Sequence, residues 1–140
     1  MNQRVHEFFL RYEHATTTSD VSMIGELYAD TFMFGRPGGV QSVKKEDFLK
    51  VIPKRKGYFA AMGLSDTKLE SVEATTMDST YLLAKVAWKM KLQTALGSRD
   101  LDIFATYVLQ RSGEDTLSIV FQIDHQDLAS VVKGLQGVQA

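Results

Sequence analysis

The chain reads as an α+β domain in which a cone-like, curved antiparallel sheet is covered by N-terminal helices around a pocket. Three observations carry that reading. Apolar residues recur at helical spacing through the first part of the chain, and from Leu64 onward the period becomes two. Between these regimes the segment Glu26 to Gln41, ELYADTFMFGRPGGVQ, changes period once and stops at Arg36-Pro37-Gly38-Gly39. Helices first and strands afterwards argue for α+β rather than for a doubly wound parallel sheet.

Val5, Phe8, Phe9, Tyr12 and Ala15 form the stripe of a first helix with one buried face. Thr16-Thr17-Thr18-Ser19 ends it, because these side chains compete for backbone hydrogen bonds. Asp20 then caps a shorter helix carrying Val21, Ile24, Leu27 and Tyr28. A strand follows over 31–36, with Phe32 and Phe34 on one face. A third helix starts near Val43 or Lys44, presents Phe48, Val51 and Ile52, and is expected to kink or restart at Pro53. Tyr58, Phe59 and Met62 continue its apolar face to a stop at Gly63.

Four strands complete the chain, over 67–77, 80–93, 100–111 and 116–125, with turns at Asp78-Ser79, Gly97-Ser98 and Ser112-Gly113-Glu114-Asp115. In the second of these, Leu82, Ala84, Val86, Trp88, Met90 and Leu92 point one way and Lys85, Lys89 and Lys91 the other. That fixes register, since a one-residue slip would bury the lysines. The N-terminal helices are the expected cover for the sheet.

Composition bounds the function. At 140 residues the chain is one domain, 1–140, and the makeup, 44% hydrophobic and 24% charged, is that of a globular protein. A formal charge of -1 supplies no field to recruit nucleic acid or an anionic membrane. No apolar run approaches the ~18 residues of a spanning helix, and MNQRVHEFF lacks the apolar core of a signal peptide. The absence of cysteine removes disulfides, thiolate metal sites and a cysteine nucleophile, so the expected location is the cytoplasm.

Arg11-Tyr12, Ser19-Asp20, Leu27-Tyr28-Ala29-Asp30, Pro37-Gly38-Gly39 and Ile123-Asp124-His125 form an ordered set at spacings that resemble the nuclear transport factor 2-like superfamily. This superfamily includes ketosteroid isomerase and SnoaL-like polyketide cyclases. The resemblance spans about residues 3–126. It implies a sheet wrapped into an open cone, a hollow that is the binding site, and a homodimer formed through the outer sheet face. It specifies the fold more than the chemistry, because this fold hosts unrelated activities.

Under that resemblance Tyr12 matches the tyrosine with which ketosteroid isomerase donates to an enolate oxygen. The alternative is a core tyrosine packed beside Phe8 and Phe9. Arg36 stands where the isomerase carries its aspartate base, and an arginine cannot abstract a proton at neutral pH. The isomerase's second acid falls near Thr106 or Tyr107, neither a carboxylate, which argues against steroid-type isomerisation. Arg36 can instead clamp a ligand carboxylate or phosphate, or serve as a turn arginine facing solvent.

His125 extends the series Leu117, Ile119, Phe121 and Ile123, so strict alternation aims it at the pocket as a titrating acid/base; the alternative is a strand-end histidine bonded to Asp124 or Asp127. Asp102 shares parity with Phe104, Thr106 and Val108. On a concave face it would be the general base; on a convex face, the preferred reading, it is surface charge.

The candidate catalytic set is therefore Tyr12, His125 and Asp102. The expected lining is Tyr28, Phe32, Phe34, Arg36, Tyr58, Trp88, Met90, Phe121 and Ile123, although aromatic residues at strand parity also build cores.

The run from Lys44 to Lys56 holds six cations and two acids and reads as a solvated helix face. His6 and His14 lie two helical turns apart, ~12 Å, too far for one metal ion. No phosphate loop or serine elbow appears, and no cofactor or metal is expected. The reading is a homodimeric pocket protein binding a small, mostly apolar ligand. If catalytic, it would be a cofactor-free acid/base isomerase, cyclase, dehydratase or hydrolase. The alternative is a non-catalytic carrier or a dimeric association domain.

Overall fold

The computed structural model describes residues 3–113 and 116–137. Helix α1 (Gln3–Thr18) buries Val5, Phe8, Phe9 and Ala15. The threonine hydroxyls turn back on its last carbonyls, Thr16 to Tyr12 at 3.0 Å and Thr18 to His14 at 2.8 Å. Ser19 then reverses the chain in the left-handed region, φ 54°. Helix α2 (Val21–Leu27) starts on Asp20, whose carboxylate accepts from the Met23 amide at 3.1 Å.

Strand β1 (Tyr28–Arg36) begins directly after α2, earlier than alternation suggests. Beyond Pro37-Gly38 the chain returns as β2 (Gly39–Lys44), antiparallel to β1 from Arg36↔Gly39 to Thr31↔Lys44. The sequence reading placed a turn there but no second strand. Helix α3 (Lys45–Ala61) continues through Pro53 as one element rather than restarting. Gly63 closes it with φ +94°, and a Cβ there would meet the Gln93 carbonyl oxygen at 2.5 Å.

Strands β3 (Leu64–Thr76), β4 (Tyr81–Thr94), β5 (Gly97–Ser112) and β6 (Thr116–Asp124) form the antiparallel meander, and α4 (Leu128–Gly137) follows. Of the expected turn after Ser112, Glu114 and Asp115 lie outside the described residues. The sheet order is β2-β1-β6-β5-β4-β3, with β1 parallel to β6, so the sheet is not antiparallel throughout. The cover is also not N-terminal alone. Val132 of α4 is fully buried, and Leu128, Val131 and Leu135 pack against the same core. Among the described residues no helix is long and apolar enough to cross a membrane.

The inner sheet face is set by β4 and β5. Leu82, Ala84, Val86 and Trp88 are buried opposite Leu109, Tyr107, Ala105 and Ile103, and Leu92 and Leu101 are buried on the same face. On β6 the alternation breaks once. Leu109 pairs with Ile119 but Val108 pairs with Phe121, which leaves one extra residue on β6, a β-bulge. Cross-strand partners share a face, so Ile119 is inward before the bulge, and Gln122 (opposite Tyr107) and Asp124 (opposite Ala105) are inward after it.

Candidate functional site

The bulge brings two polar residues of β6 into an aromatic interior. Tyr12 of α1, Tyr28 at the head of β1, Trp88 of β4 and Tyr107 of β5 converge there. The Tyr12 ring lies 5.2 Å from Trp88 and 5.8 Å from Tyr107, centroid to centroid. The hydroxyls of Tyr12 and Tyr28 are 3.0 Å apart, and Trp88 Nε1 donates to the Tyr107 oxygen at 3.2 Å. The Tyr28 hydroxyl donates to Gln122 Oε1, and Gln122 Nε2 donates to Asp124 Oδ1 at 3.0 Å. A hydrogen-bonded chain thus runs from the buried phenols to a carboxylate.

Burial pushes all three phenols up, Tyr28 and Tyr107 well above the ordinary tyrosine value. They remain protonated donors at neutral pH. Burial likewise raises Asp124, and it outweighs the Gln122 bond and the fields of Arg55, His125 and Arg36, which favour the ionised form. Asp124 is half-buried and lines a cavity of about 440 Å³ between the end of β1, one face of α3 and the β6–α4 connection.

Phe34 and Arg36 of β1 form one wall of this cavity. Val51, Lys54, Arg55, Tyr58 and Phe59 of α3 form the other, at the spacing of one helical face. Asp124, Gln126, Asp127, Leu128 and Ala129 form the third. Each arginine lies over a ring, Arg36 5.9 Å from the Phe34 centroid and Arg55 4.9 Å from that of Phe59. Among the described residues no cluster of three or more histidine, aspartate, glutamate or cysteine side chains is gathered for a metal ion.

The expected site residues separate into groups. Phe34, Arg36 and Tyr58 stand together on the cavity wall. Tyr28, Phe32 and Trp88 are core residues at 2%, 2% and 3% exposure, and Met90 packs beside them, so none of these four lines the opening. Phe121 and Ile123 face the outer side of the sheet, opposite Val108 and Thr106, because the bulge reverses their parity.

The same reversal corrects His125. It is exposed on the outer face, with Nε2 2.6 Å from the Thr106 hydroxyl, and does not enter the cavity. Asp102 is also outside, exposed and paired with Lys89 at 3.7 Å, as the convex reading had it. Tyr12 is in the interior, but its hydroxyl bonds Tyr28 rather than facing the cavity.

Asp124, Gln122, Arg55 and Phe59 were missed as site residues. A glutamine inside the apolar run SIVFQID was the available signal for the first two. For the others it was the α3 stripe Val51, Arg55, Tyr58 and Phe59, obscured by the surrounding lysines.

No family model and no curated protein matches the chain. Solved structures do. An NTF2-like protein with a cystatin-like fold from Novosphingobium aromaticivorans superposes with a TM-score of 0.72 at 12% identity, covering 96% of this chain and 87% of that one. An NTF-2-like protein of unknown function from Shewanella oneidensis gives 0.68 at 14% identity, covering 89% and 98%. A Shewanella frigidimarina protein provisionally named a ketosteroid isomerase gives 0.66 at 13%, covering 84% and 91%. Identities this low speak to architecture and not to activity, and the architecture is unambiguous: the chain has the nuclear transport factor 2-like fold.

Proposed function

We propose that this protein binds a small, mostly apolar molecule in the cavity between β1, α3 and the end of β6, with Asp124 as the titrating group at its inner wall. The observation that carries the proposal is the placement of Asp124. It joins an open cavity of about 440 Å³ to a buried chain of phenols through Gln122. The size lies within the ~300–1,000 Å³ of small-molecule sites, and apolar walls with a few convergent polar groups are their usual makeup. Burial raises the pKa of this carboxyl above the ordinary aspartate value and so strengthens it as a base, which suits cofactor-free acid/base chemistry. Tyr12 and Tyr28 would then be positioning residues acting through Gln122.

The test is retention of ligand. Native mass spectrometry of the purified protein is expected to find a small molecule bound to wild type. It should be lost from Ala129→Trp, which fills the cavity lip, with the circular dichroism spectrum unchanged. Equal retention by both proteins, or none by either together with no thermal stabilisation by a panel of small apolar compounds, would sink the proposal. Among holders of a ligand, an enzyme differs from a carrier in that Asp124→Asn abolishes turnover of the retained molecule while leaving its retention intact.

A second reading concerns the outer sheet face. Phe104 is 49% exposed and Met33 37%, with Phe121 and Ile123 beside them. Such a patch favours pairing with a second copy of this chain. We place the protein in the cytoplasm, in keeping with a chain that contains no cysteine.

A further inference from the structure

We infer that the ligand of this cavity is a monocarboxylate on an aromatic body, held at its head group by Arg36 and Arg55, and that its binding takes up a proton at Asp124. The inference rests on the pocket reading above and adds the chemical class of the occupant.

The body follows from the walls. Phe34 on β1 and Tyr58 and Phe59 on α3 present aromatic surface to the same space, with Val51, Leu128 and Ala129 closing it. Offset or edge-on stacking against such walls favours a flat ring system over a flexible chain, which would lose more rotamer freedom on binding.

The head group follows from the cations. Arg36, Lys54 and Arg55 line the cavity against two acids, Asp124 and Asp127. Ion pairs are seen away from this cavity, at Arg11–Glu26, Lys45–Asp30 and Lys89 with Glu70 and Asp102. Each guanidinium instead lies over a phenylalanine ring. A cation–π contact uses none of the five guanidinium N–H donors, and their fork matches a carboxylate bidentately. The surplus of one positive charge suits a monoanion. A phosphate monoester carries roughly -1.5 to -2 and would set a second negative charge against both aspartates.

The proton follows from crowding. Asp124 feels the fields of Arg55 from α3, of its chain neighbour His125 on the outer face and of Arg36 from β1, and Lys54 and Asp127 line the same cavity. The phenols of Tyr12, Tyr28 and Tyr107 lie behind it. A carboxylate entering among these cations neutralises the charges that favour ionised Asp124 and adds a repulsive one. Both effects drive Asp124 to its protonated form, which can then donate a hydrogen bond to the ligand.

Isothermal titration of the full chain with 2-naphthoate, 2-naphthamide and 2-naphthyl phosphate, in buffers of different ionisation enthalpy, tests each part. Naphthoate is expected to bind at least about tenfold more tightly than the isosteric amide, consistent with charge-assisted bidentate pairing. Arg36→Ala and Arg55→Ala should each weaken naphthoate about 5- to 20-fold while moving the amide less than about twofold, as loss of a charged partner requires. Proton uptake should accompany naphthoate binding at the pH where the Asp124 midpoint moves, and vanish in Asp124→Asn, which should bind naphthoate at least as tightly as wild type.

Equal binding of acid and amide overturns the anionic head group and leaves the pocket reading standing. Tighter binding of the phosphate overturns the monoanion. Uptake that persists in Asp124→Asn removes that residue as the acceptor. Binding of none of the three overturns this inference, and the pocket reading is then judged separately by the retention experiment.

Discussion

Replacing Gln122 by methionine tests the link between the buried phenols and the cavity. The substitution keeps length and volume while removing both polar atoms, so packing changes little. Gln122 is 8% exposed, accepts from the Tyr28 hydroxyl and donates to Asp124 at 3.0 Å. Losing the neutral bond costs about 1 kcal/mol, and losing the bond to an ionised carboxylate about 1.5–3 kcal/mol. The expected destabilisation at pH 7 is therefore about 2.5–4 kcal/mol. With an unfolding entropy near 2.1 cal/mol/K per residue, a chain of 140 residues should lose about 9–14 °C in Tm.

Urea unfolding followed by circular dichroism measures this directly. The charged part of the loss exists only while Asp124 is ionised, so the difference should shrink towards about 1 kcal/mol in acid, where Asp124 is protonated in both proteins. The Gln122 bond also holds the Asp124 pKa down, and in Gln122→Met that pKa should climb further. A variant within about 0.5 kcal/mol of wild type at pH 7 would refute the hydrogen-bonded chain.

Other outcomes follow from particular contacts. Leu109→Ala, at a fully buried position, should cost about 2–5 kcal/mol in the same assay. Gly63→Ala should cost about 1–3 kcal/mol or more, since φ is +94° and the new Cβ meets a carbonyl oxygen; Gly57→Ala, with open space on α3, should stabilise by about 0.4–1 kcal/mol. Asp124 is raised in the folded state, so its contribution is complete below the unfolded pKa and is lost as pH rises through the folded one. Asp124→Asn should therefore melt higher than wild type at pH 7, with the gap closing towards pH 4. Phe104→Lys should convert the proposed dimer to monomer in sedimentation velocity; a wild-type protein already monomeric at high concentration would remove the outer-face pairing.

What was legible in the sequence was whatever one polypeptide segment decides by itself. The α1 stripe, the Asp20 cap and the β4 alternation of apolar residues against Lys85, Lys89 and Lys91 all appear where expected. The stripe Leu128, Val131, Val132 and Leu135 had the spacing of a buried helix face and was overlooked. Strand β2, GVQSVK, offered too little: only Val43 is even half-buried, so it carries no alternating core signal and exists through its hairpin with β1.

The site depended on a relation between strands. In SIVFQID both faces carry apolar residues, so parity alone cannot say which one points inward. The answer lies in the β5 register, where Leu109 and Val108 take partners two residues apart on β6. That bulge exchanges His125 for Asp124 at the cavity, and no local pattern announces it. Arg36 stands on the cavity wall with Phe34 because nothing interrupts alternation between Phe34 and the turn.

The central claim is that Asp124 faces the cavity as a group whose proton responds to an anionic ligand, and a carbon-13 NMR titration of its side-chain carboxyl measures it most directly. The account predicts a midpoint above the ordinary aspartate value of about 3.9 in the free protein, displaced further upward by saturating 2-naphthoate but not by 2-naphthamide. An ordinary midpoint that neither compound moves would contradict it.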